Sequence, residues 1–365
     1  MADMIAWDTA GQVARRVARQ QTPLTDYERR SLEADFEEYT ALAEGLVEAE
    51  TGLRSLAGPA RARVTDRSQW VDANIASFQR LLRPVLAKLG EKVGGGGGRA
   101  GGMPLSFTRH AAGAELGLLL GWMSGRVLGQ YDQLLIEDER PEDQDIVYYV
   151  GPNVVGVERK YGFEPAQFRL WLALHEVTHR AQFTGVPWLR QHFLGLVDRT
   201  LAGLDPDPKA IMAALRRSAE GIRAGRNPLD EGGIASLIAG PDQFAAIQEI
   251  GGMMSLLEGH GDITMDRAGA DQVPAAAQFS RTLKERRRQR GLTKLIAMLV
   301  GLDAKMRQYE QGEAFIEAVE ASGGRPLMDR VWEGPEFLPS LAEIRDPQQW
   351  ISRVGTEGHP AVVPG

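Results

Sequence analysis

The segment LALHEVTHRAQF (172–183) carries two histidines four positions apart, His175 and His179, with Glu176 directly after the first. Each residue of a helix advances about 100°, so both imidazoles project from one face and can reach one ion at about 2.0–2.1 Å. Glu176 lies beside the pair, as suits a carboxylate that hydrogen-bonds a metal-bound water. The alternative is two core histidines, with Glu176 paired to Arg180. The position of the pair within an otherwise apolar helical stripe favours the metal site.

A catalytic zinc takes three protein ligands and leaves one position for water. In GGMMSLLEGHGDITMD (251–266), Glu258 continues a mostly apolar helical stripe, where a carboxylate is costly unless it is paired or binds metal. Glu258 is therefore the predicted third ligand. Asp262, one turn later on the same face, is predicted to accept the free N–H of a ligand histidine. Gly251 and Gly252 would let this helix approach the histidine helix closely.

Two alternatives remain open in this segment. His260 would point away from Asp262 on a continuous helix, but Gly259 and Gly261 could end the helix early, so His260 stays a candidate catalytic residue. The acidic residues could also form salt bridges with arginines such as Arg267 instead of serving a metal.

The other histidines are weaker candidates for ligands. His192 follows GVPW, where Gly185 and Pro187 are expected to end the motif helix, and it lacks the spacing of the extended three-histidine motif. His359 lies in a Gly/Pro-rich tail, and His110 has no partner nearby in sequence. Each is expected to be structural or exposed.

Composition excludes several classes of protein. The 365 residues include no cysteine, which rules out disulfides, thiolate metal sites and a cysteine nucleophile, so zinc must be held by histidine and carboxylate. The net charge of −7 argues against nucleic acid as a partner. The basic run LKERRRQRGLTK (283–294) is interpreted as a solvated surface. The glycine tract 94–98 lacks the Lys-Ser/Thr ending of a phosphate loop.

The chain is expected to be cytoplasmic and to bind no membrane. Its first twenty residues show no basic start followed by an apolar run. The most apolar span, 113–131, contains Glu115 and Arg126, which leave too short an uncharged stretch to cross a bilayer. A glycine at every fourth position of residues 113–129 predicts instead a helix groove for close packing in a core.

The element pattern predicts a mainly α protein with one small β-sheet (α+β). DIVYYV supplies a strand at 146–150, and 154–157 is a possible second strand. A helix at 25–53 would begin at Thr25 or Asp26, and a helix at 66–90 would end at Gly90 with a kink near Pro84. Further helices are predicted at 165–184, 187–203, 207–225, 241–259 and 292–311, with a mixed stretch at 274–290. The predicted organisation is an N-terminal helical region (1–93) packed on the core, a Gly-rich loop (94–102) and a zincin-like catalytic region (103–365); the alternative is that all three form one domain.

Three segments of the chain together resemble a bacterial family of zincin-like hydrolases, some described as associated with biosynthesis of the deazaflavin coenzyme. They are FRLWLALHEVTHRAQFTGVPWLRQH, LLEGHGDITMD and WEGPEFLPSLAEI, and the similarity extends to RSQWVDANIASF near the N-terminus. The resemblance implies a zincin-like metalloprotease core in a large helical body, with His175 and His179 as zinc ligands and Glu176 as the catalytic carboxylate. Nearly eighty residues separate His179 from Glu258, more than in compact zincins, and the intervening residues 187–239 could form a lid or wall.

The predicted chemistry is zinc-dependent attack of water on a peptide or amide carbonyl, with Glu176 as general base. His260, a tyrosine or Arg267 could supply a second donor to the developing oxyanion. DIVYYV could be the edge strand that aligns a peptide substrate, or an ordinary core strand. Two other functions remain open: a metallohydrolase acting on a small amide or ester, and an inactive zinc-containing scaffold. The oligomeric state is open.

Overall fold

A computed structural model describes residues 5–20, 22–94, 99–100, 103–131, 145–202, 241–289 and 309–356. The strands are β1 (Arg61–Thr65), β2 (Arg99–Ala100), β3 (Met103–Pro104), β4 (Gly129–Tyr131) and β5 (Ile146–Val150). The helices are α1 (Trp7–Ala18), α2 (Asp26–Thr51), α3 (Arg67–Gly94), α4 (Leu105–Ser124), α5 (Gly151–Tyr161), α6 (Pro165–Gly185), α7 (Leu189–Ala202), α8 (Pro241–Ala268), α9 (Ala276–Gln289), α10 (Tyr309–Asp329), α11 (Leu341–Arg345) and α12 (Pro347–Thr356). Short 3₁₀ turns occupy Arg330–Trp332 and Pro335–Phe337. The predicted fold class, mainly α with a small sheet, is confirmed.

The chain forms two compact units: residues 1–181 with 268–276, and residues 182–267 with 277–365. In the first unit the larger sheet has the order β1-β5-β4. β1 pairs parallel with β5 from Arg61↔Ile146 to Thr65↔Val150, and β4 pairs antiparallel with β5. All five residues of β5 are buried, as expected of an apolar run in the centre of a sheet. The core-strand interpretation of DIVYYV is therefore correct, and within the described residues β1 and β4 are the edge strands of this sheet.

Three of the regularly spaced glycines pack α4 against α1. A Cβ at Gly117 would lie 2.5 Å from the carbonyl oxygen of Ala10, and one at Gly121 would lie 2.8 Å from that of Ala14. Gly113 makes the same backbone approach to Ala6. The prediction of close packing is confirmed for these three positions. The stripe does not continue to 129, because α4 ends at Ser124 and the chain enters β4.

Local signals located several elements well. Thr25 and Glu28 form the capping box that begins α2, and Gly52 ends the helix in the left-handed conformation. The predicted strand at 154–157 is wrong, since these residues lie in α5. Its buried valines form one face of a helix, and a short apolar run does not distinguish a helix from a strand by periodicity alone.

Glycine and proline were less decisive helix breakers than expected. α3 passes both Pro84 and Gly90 and ends at Gly94. Residues 99–100, inside the predicted Gly-rich loop 94–102, form a short strand that pairs with residues 103–104. The predicted helix at 207–225, most of that at 292–311, and residues 203–239 of the predicted lid lie outside the described residues.

In the second unit, α8 is held by backbone contacts at two glycines. A Cβ at Gly252 would lie 2.9 Å from the backbone nitrogen of Leu341, and one at Gly259 would lie 2.7 Å from the Cα of Gly312 on α10. The close approach at Gly252 is thus made to the segment before α11. The neighbouring core is built from Leu256, Phe315, Ile316, Val319, Trp350 and Val354. Among the described helices, none is long and apolar enough to cross a membrane.

Candidate metal centre

His175 and His179 converge from successive turns of α6. Their Nε2 atoms lie 3.2 Å apart, and the ring planes meet at 84°. Two nitrogens bound to one tetrahedral zinc at 2.0–2.1 Å would be about 3.3 Å apart. His179 is buried and His175 is half-buried, so the pair lies largely away from bulk water. The donor types and their spacing fit a divalent transition metal, for which imidazole is a suitable ligand.

The histidine helix is anchored by a buried arginine, Arg180. Arg180 is 1% exposed, and its guanidinium contacts Asp145 and Glu44, each at 2.6 Å, and the carbonyl oxygen of Gly58. Burial alone would lower the pKa of Arg180, but the hydrogen bonds and charges of Asp145 and Glu44 raise it above its ordinary value. The charge is therefore retained, and it fixes the rotation of α6. The described ion pairs of Arg180 are made with these acidic partners, whereas the alternative considered from the sequence paired it with Glu176.

Glu176 is buried against β4. Its Oε2 accepts a hydrogen bond from the backbone N–H of Tyr131 at 3.1 Å. A Cβ at Gly129 would lie 2.7 Å from Oε1 and from Cγ of the same glutamate. The sequence predicted neither contact, because the regular glycine spacing placed Gly129 on a helix. The signal that could have found them is Gly-Gln-Tyr standing just beyond the apolar helix, as a short extended segment would.

In the second unit, Gln182 contacts the helix that carries Glu258. The Gln182 Nε2 lies 3.0 Å from the carbonyl oxygen of Leu257 and 3.0 Å from Nδ1 of His260. A carbonyl can only accept, so the amide group facing Leu257 is NH₂, and its second hydrogen is donated to His260. Nδ1 of His260 is therefore an acceptor, and the neutral ring carries its proton on Nε2. The ring also packs edge-on against Trp332, with centroids 5.0 Å apart.

α8 runs unbroken through Gly259 and Gly261, so the early helix end considered from the sequence does not occur. Glu258 and His260 are half-buried, and Asp262 is buried. His175 and His179 in the first unit and Glu258 in the second each offer a nitrogen or a carboxylate oxygen in a buried or half-buried setting, and such donors suit a metal ion.

The other candidates lie elsewhere. His110 is exposed on α4, and His359 lies outside the described residues. His192 is half-buried on α7 and packs edge-on against Trp188, and burial lowers its pKa. Arg267 forms a two-pronged ion pair with Glu320, at 2.9 and 2.6 Å. Arg267 is thus engaged by a glutamate of α10, and the geometry gives no support to it as an oxyanion donor.

A helix with the pattern His-Glu-x-x-His beside a small mixed sheet defines a zincin-like site. The sequence profile of zincin-like metallopeptidases matches residues 5–351, and the chain belongs to this family. The resemblance inferred from the sequence is thereby confirmed.

A solved structure from Chloroflexus aurantiacus, described as a "putative hydrolase with a novel fold", is similar to this chain with a TM-score of 0.72. The two share 33% sequence identity over 97% of this chain and 100% of that one. No curated protein matches the chain. Together these findings support a hydrolase at the general level, and the family implies a metal, usually zinc.

Proposed function

We propose that the protein is a zinc-dependent hydrolase that cleaves a peptide or amide bond, with His175, His179 and Glu258 as the metal ligands and Glu176 as the general base. The observation that carries the proposal is the convergence of the His175 and His179 Nε2 atoms, 3.2 Å apart on one helix, with the buried Glu176 directly beside them. Two imidazoles and one carboxylate are a ligand set of catalytic zinc sites, which keep a further position open. A purely structural site would have no use for the adjacent Glu176.

Bound zinc would lower the pKa of its water toward about 7 and polarise the scissile carbonyl. The protein's own part is to manage protons and orientation. Glu176 accepts the proton of the attacking water and returns it to the leaving nitrogen, so that the amine departs neutral. Burial of Glu176 keeps bulk water from competing for that proton.

Two further residues have supporting roles in this proposal. Asp262 accepts the free N–H of a ligand histidine; it is a buried carboxylate on α8, one turn beyond Glu258, where an unpaired charge would be costly. His260 is the candidate donor to the developing oxyanion. Its support is the contact with Gln182, which leaves the ring proton on Nε2.

The edge strand β4 favours a peptide over a small amide or ester as substrate. Val150 donates to the carbonyl of Leu128 at 2.8 Å, so in this antiparallel pair the backbone groups of Gly129 and Tyr131 point away from β5. Within the described residues β4 has a strand neighbour on one side only. The outward N–H of Tyr131 is already donated to Glu176, so an extended peptide would pair with β4 through the backbone groups of Gly129, beside Glu176.

Metal analysis of protein purified without added metal tests the ligand set. The wild type should carry one zinc per chain, and Glu258→Ala should lose it. Glu249→Ala is the matched control, since Glu249 lies on the same helix and pairs with Arg199 at the surface. Full zinc in Glu258→Ala would remove Glu258 from the ligand set, and a metal-free wild type would refute the proposal.

Activity separates an enzyme from a scaffold. With a quenched-fluorescent peptide library as probe, Glu176→Gln should retain zinc while turnover falls by about 10²–10⁴-fold, the usual contribution of general acid–base catalysis. Undiminished turnover in Glu176→Gln would exclude this residue as the base. A zinc-loaded wild type that cleaves small amides or esters but no peptide would favour the alternative substrate class.

A further inference from the structure

The carboxylate of Glu176 is held by a strand as well as by its own helix. The backbone N–H of Tyr131 donates to Oε2 at 3.1 Å, in a buried setting. A hydrogen bond from an N–H to a carboxylate is charge-assisted and stronger than one between neutral groups. The strand thus distinguishes the two oxygens of the carboxylate.

The register of β4 on β5 explains why this N–H is available. In this register Gly129 lies opposite Tyr149, and Tyr131 lies opposite Val147. The hydrogen bond from the Val150 N–H to the Leu128 carbonyl shows that the backbone groups of Leu128, the residue before Gly129, face β5. Backbone groups alternate along an antiparallel strand, so the N–H of Tyr131 points outward. An outward N–H on a buried edge requires a partner, and Glu176 supplies it.

Gly129 is required by space rather than by backbone conformation. Among the described residues, the glycines with positive φ are Gly52, Gly58, Gly162 and Gly324, and Gly129 is not one of them. An added Cβ at Gly129 would lie 2.7 Å from Oε1, 2.7 Å from Cγ and 2.8 Å from Cδ of Glu176. Any side chain at this position must therefore displace the carboxylate.

We propose that Gly129 and the Tyr131 N–H are positioning groups for the general base: the N–H holds Oε2, and the missing side chain at 129 lets Oε1 take the place from which it accepts the proton of the attacking water. This inference rests on the proposed function for its catalytic meaning. The positioning contact itself is independent of metal and substrate, so it can be tested separately.

Amide hydrogen exchange, read residue by residue by NMR or mass spectrometry, tests the contact without any activity. In Glu176→Leu the Tyr131 amide should exchange at least about tenfold faster, since a hydrogen bond to a charged group is lost. In Glu176→Gln it should stay largely protected, because the side-chain carbonyl can still accept. The Val150 amide, bonded within the sheet to Leu128, is the internal control and should not change. Equal Tyr131 exchange in the wild type and Glu176→Leu would overturn the proposal.

A rescue experiment tests the role of Gly129. Gly129→Ala should retain zinc and lower kcat on the peptide probe by at least about tenfold, with KM changed far less, because the base is displaced while the ligands stay. Glu176→Asp shortens the side chain by one methylene and makes room for the new methyl. Addition of Gly129→Ala to a Glu176→Asp background should therefore reduce kcat far less than it does in the wild type.

The matched control is Gly156→Ala, at a position where an added Cβ meets nothing within 4 Å. It should leave kcat unchanged. An undiminished kcat in Gly129→Ala, or the same loss in both backgrounds, would overturn the role of Gly129. If Gly129→Ala does not fold or no peptide is cleaved, the exchange experiment on the Glu176 variants still decides the positioning contact.

Discussion

The contact between Gly259 and Gly312 offers a perturbation of the proposed metal centre that leaves every proposed ligand side chain unchanged. Gly259 directly follows Glu258 on α8, and a Cβ there would lie 2.6 Å from the backbone nitrogen of Glu313 and 2.7 Å from the Cα of Gly312. Ordinary van der Waals contact begins at 3.4 Å, so the substitution Gly259→Ala must separate the two backbones by at least about 0.8 Å. Both neighbours are backbone atoms, which cannot move aside as a flexible side chain can.

The consequence for the metal follows from the tolerance of coordination distances, about ±0.2 Å. If Glu258 is a ligand, a shift of its helix several times that tolerance should weaken zinc binding by at least about 10–100-fold, comparable with the loss of a group that orients a ligand. The overpacking itself should cost about 1–3 kcal/mol of stability.

The matched control is Gly195→Ala, a glycine inside α7 whose added Cβ would meet nothing within 4 Å. There alanine should stabilise the protein by up to about 1 kcal/mol through its higher helix propensity. Zinc affinity would be measured by competition with a chromophoric chelator, and stability by thermal unfolding of the chelator-treated protein. A Gly259→Ala variant as stable as Gly195→Ala would refute the packing argument. A destabilised variant with wild-type zinc affinity would refute the link between α8 and the metal.

Two further predictions concern α6. In Gln182→Glu the new carboxylate can only accept a hydrogen bond, so the ring proton of His260 should move from Nε2 to Nδ1. Two-bond ¹⁵N–¹H spectra of the imidazole measure this tautomer. An unchanged tautomer would contradict the assignment of Gln182 as the donor. Replacement of buried Arg180 by Met should lower the free energy of unfolding by about 3–5 kcal/mol, because Asp145 loses its partner. The control Arg15→Ala, at an exposed ion pair, should lower it by at most about 1 kcal/mol in the same unfolding experiment.

Elements with strong local signals were predicted nearly residue for residue. The motif helix, predicted at 165–184, spans Pro165–Gly185, and the predicted strand at 146–150 is β5. In both segments the apolar pattern is long or dense enough to identify the element, although the signals at its ends are weaker. The capping box at Thr25 is likewise a local arrangement, formed by residues three positions apart.

Elements that depend on distant partners were missed. β1 has the sequence RARVT, whose alternating arginines give little apolar signal, and β4 has only three residues. Both become strands because the buried β5 needs a hydrogen-bonded neighbour on each side. α8 continues through Gly259 because its packing against Gly312 outweighs the low helix propensity of glycine.

The sequence by itself determined the chemistry available to this protein: no thiolate, two imidazoles one helical turn apart, and a glutamate beside them. These follow from residue types and from the helical repeat, which are local properties of the chain. The tertiary structure decided which distant groups meet them. The N–H of Tyr131 and the bare backbone of Gly129 reach Glu176 across 45 residues or more. Such contacts depend on strand register and helix packing, which no short segment of the chain encodes.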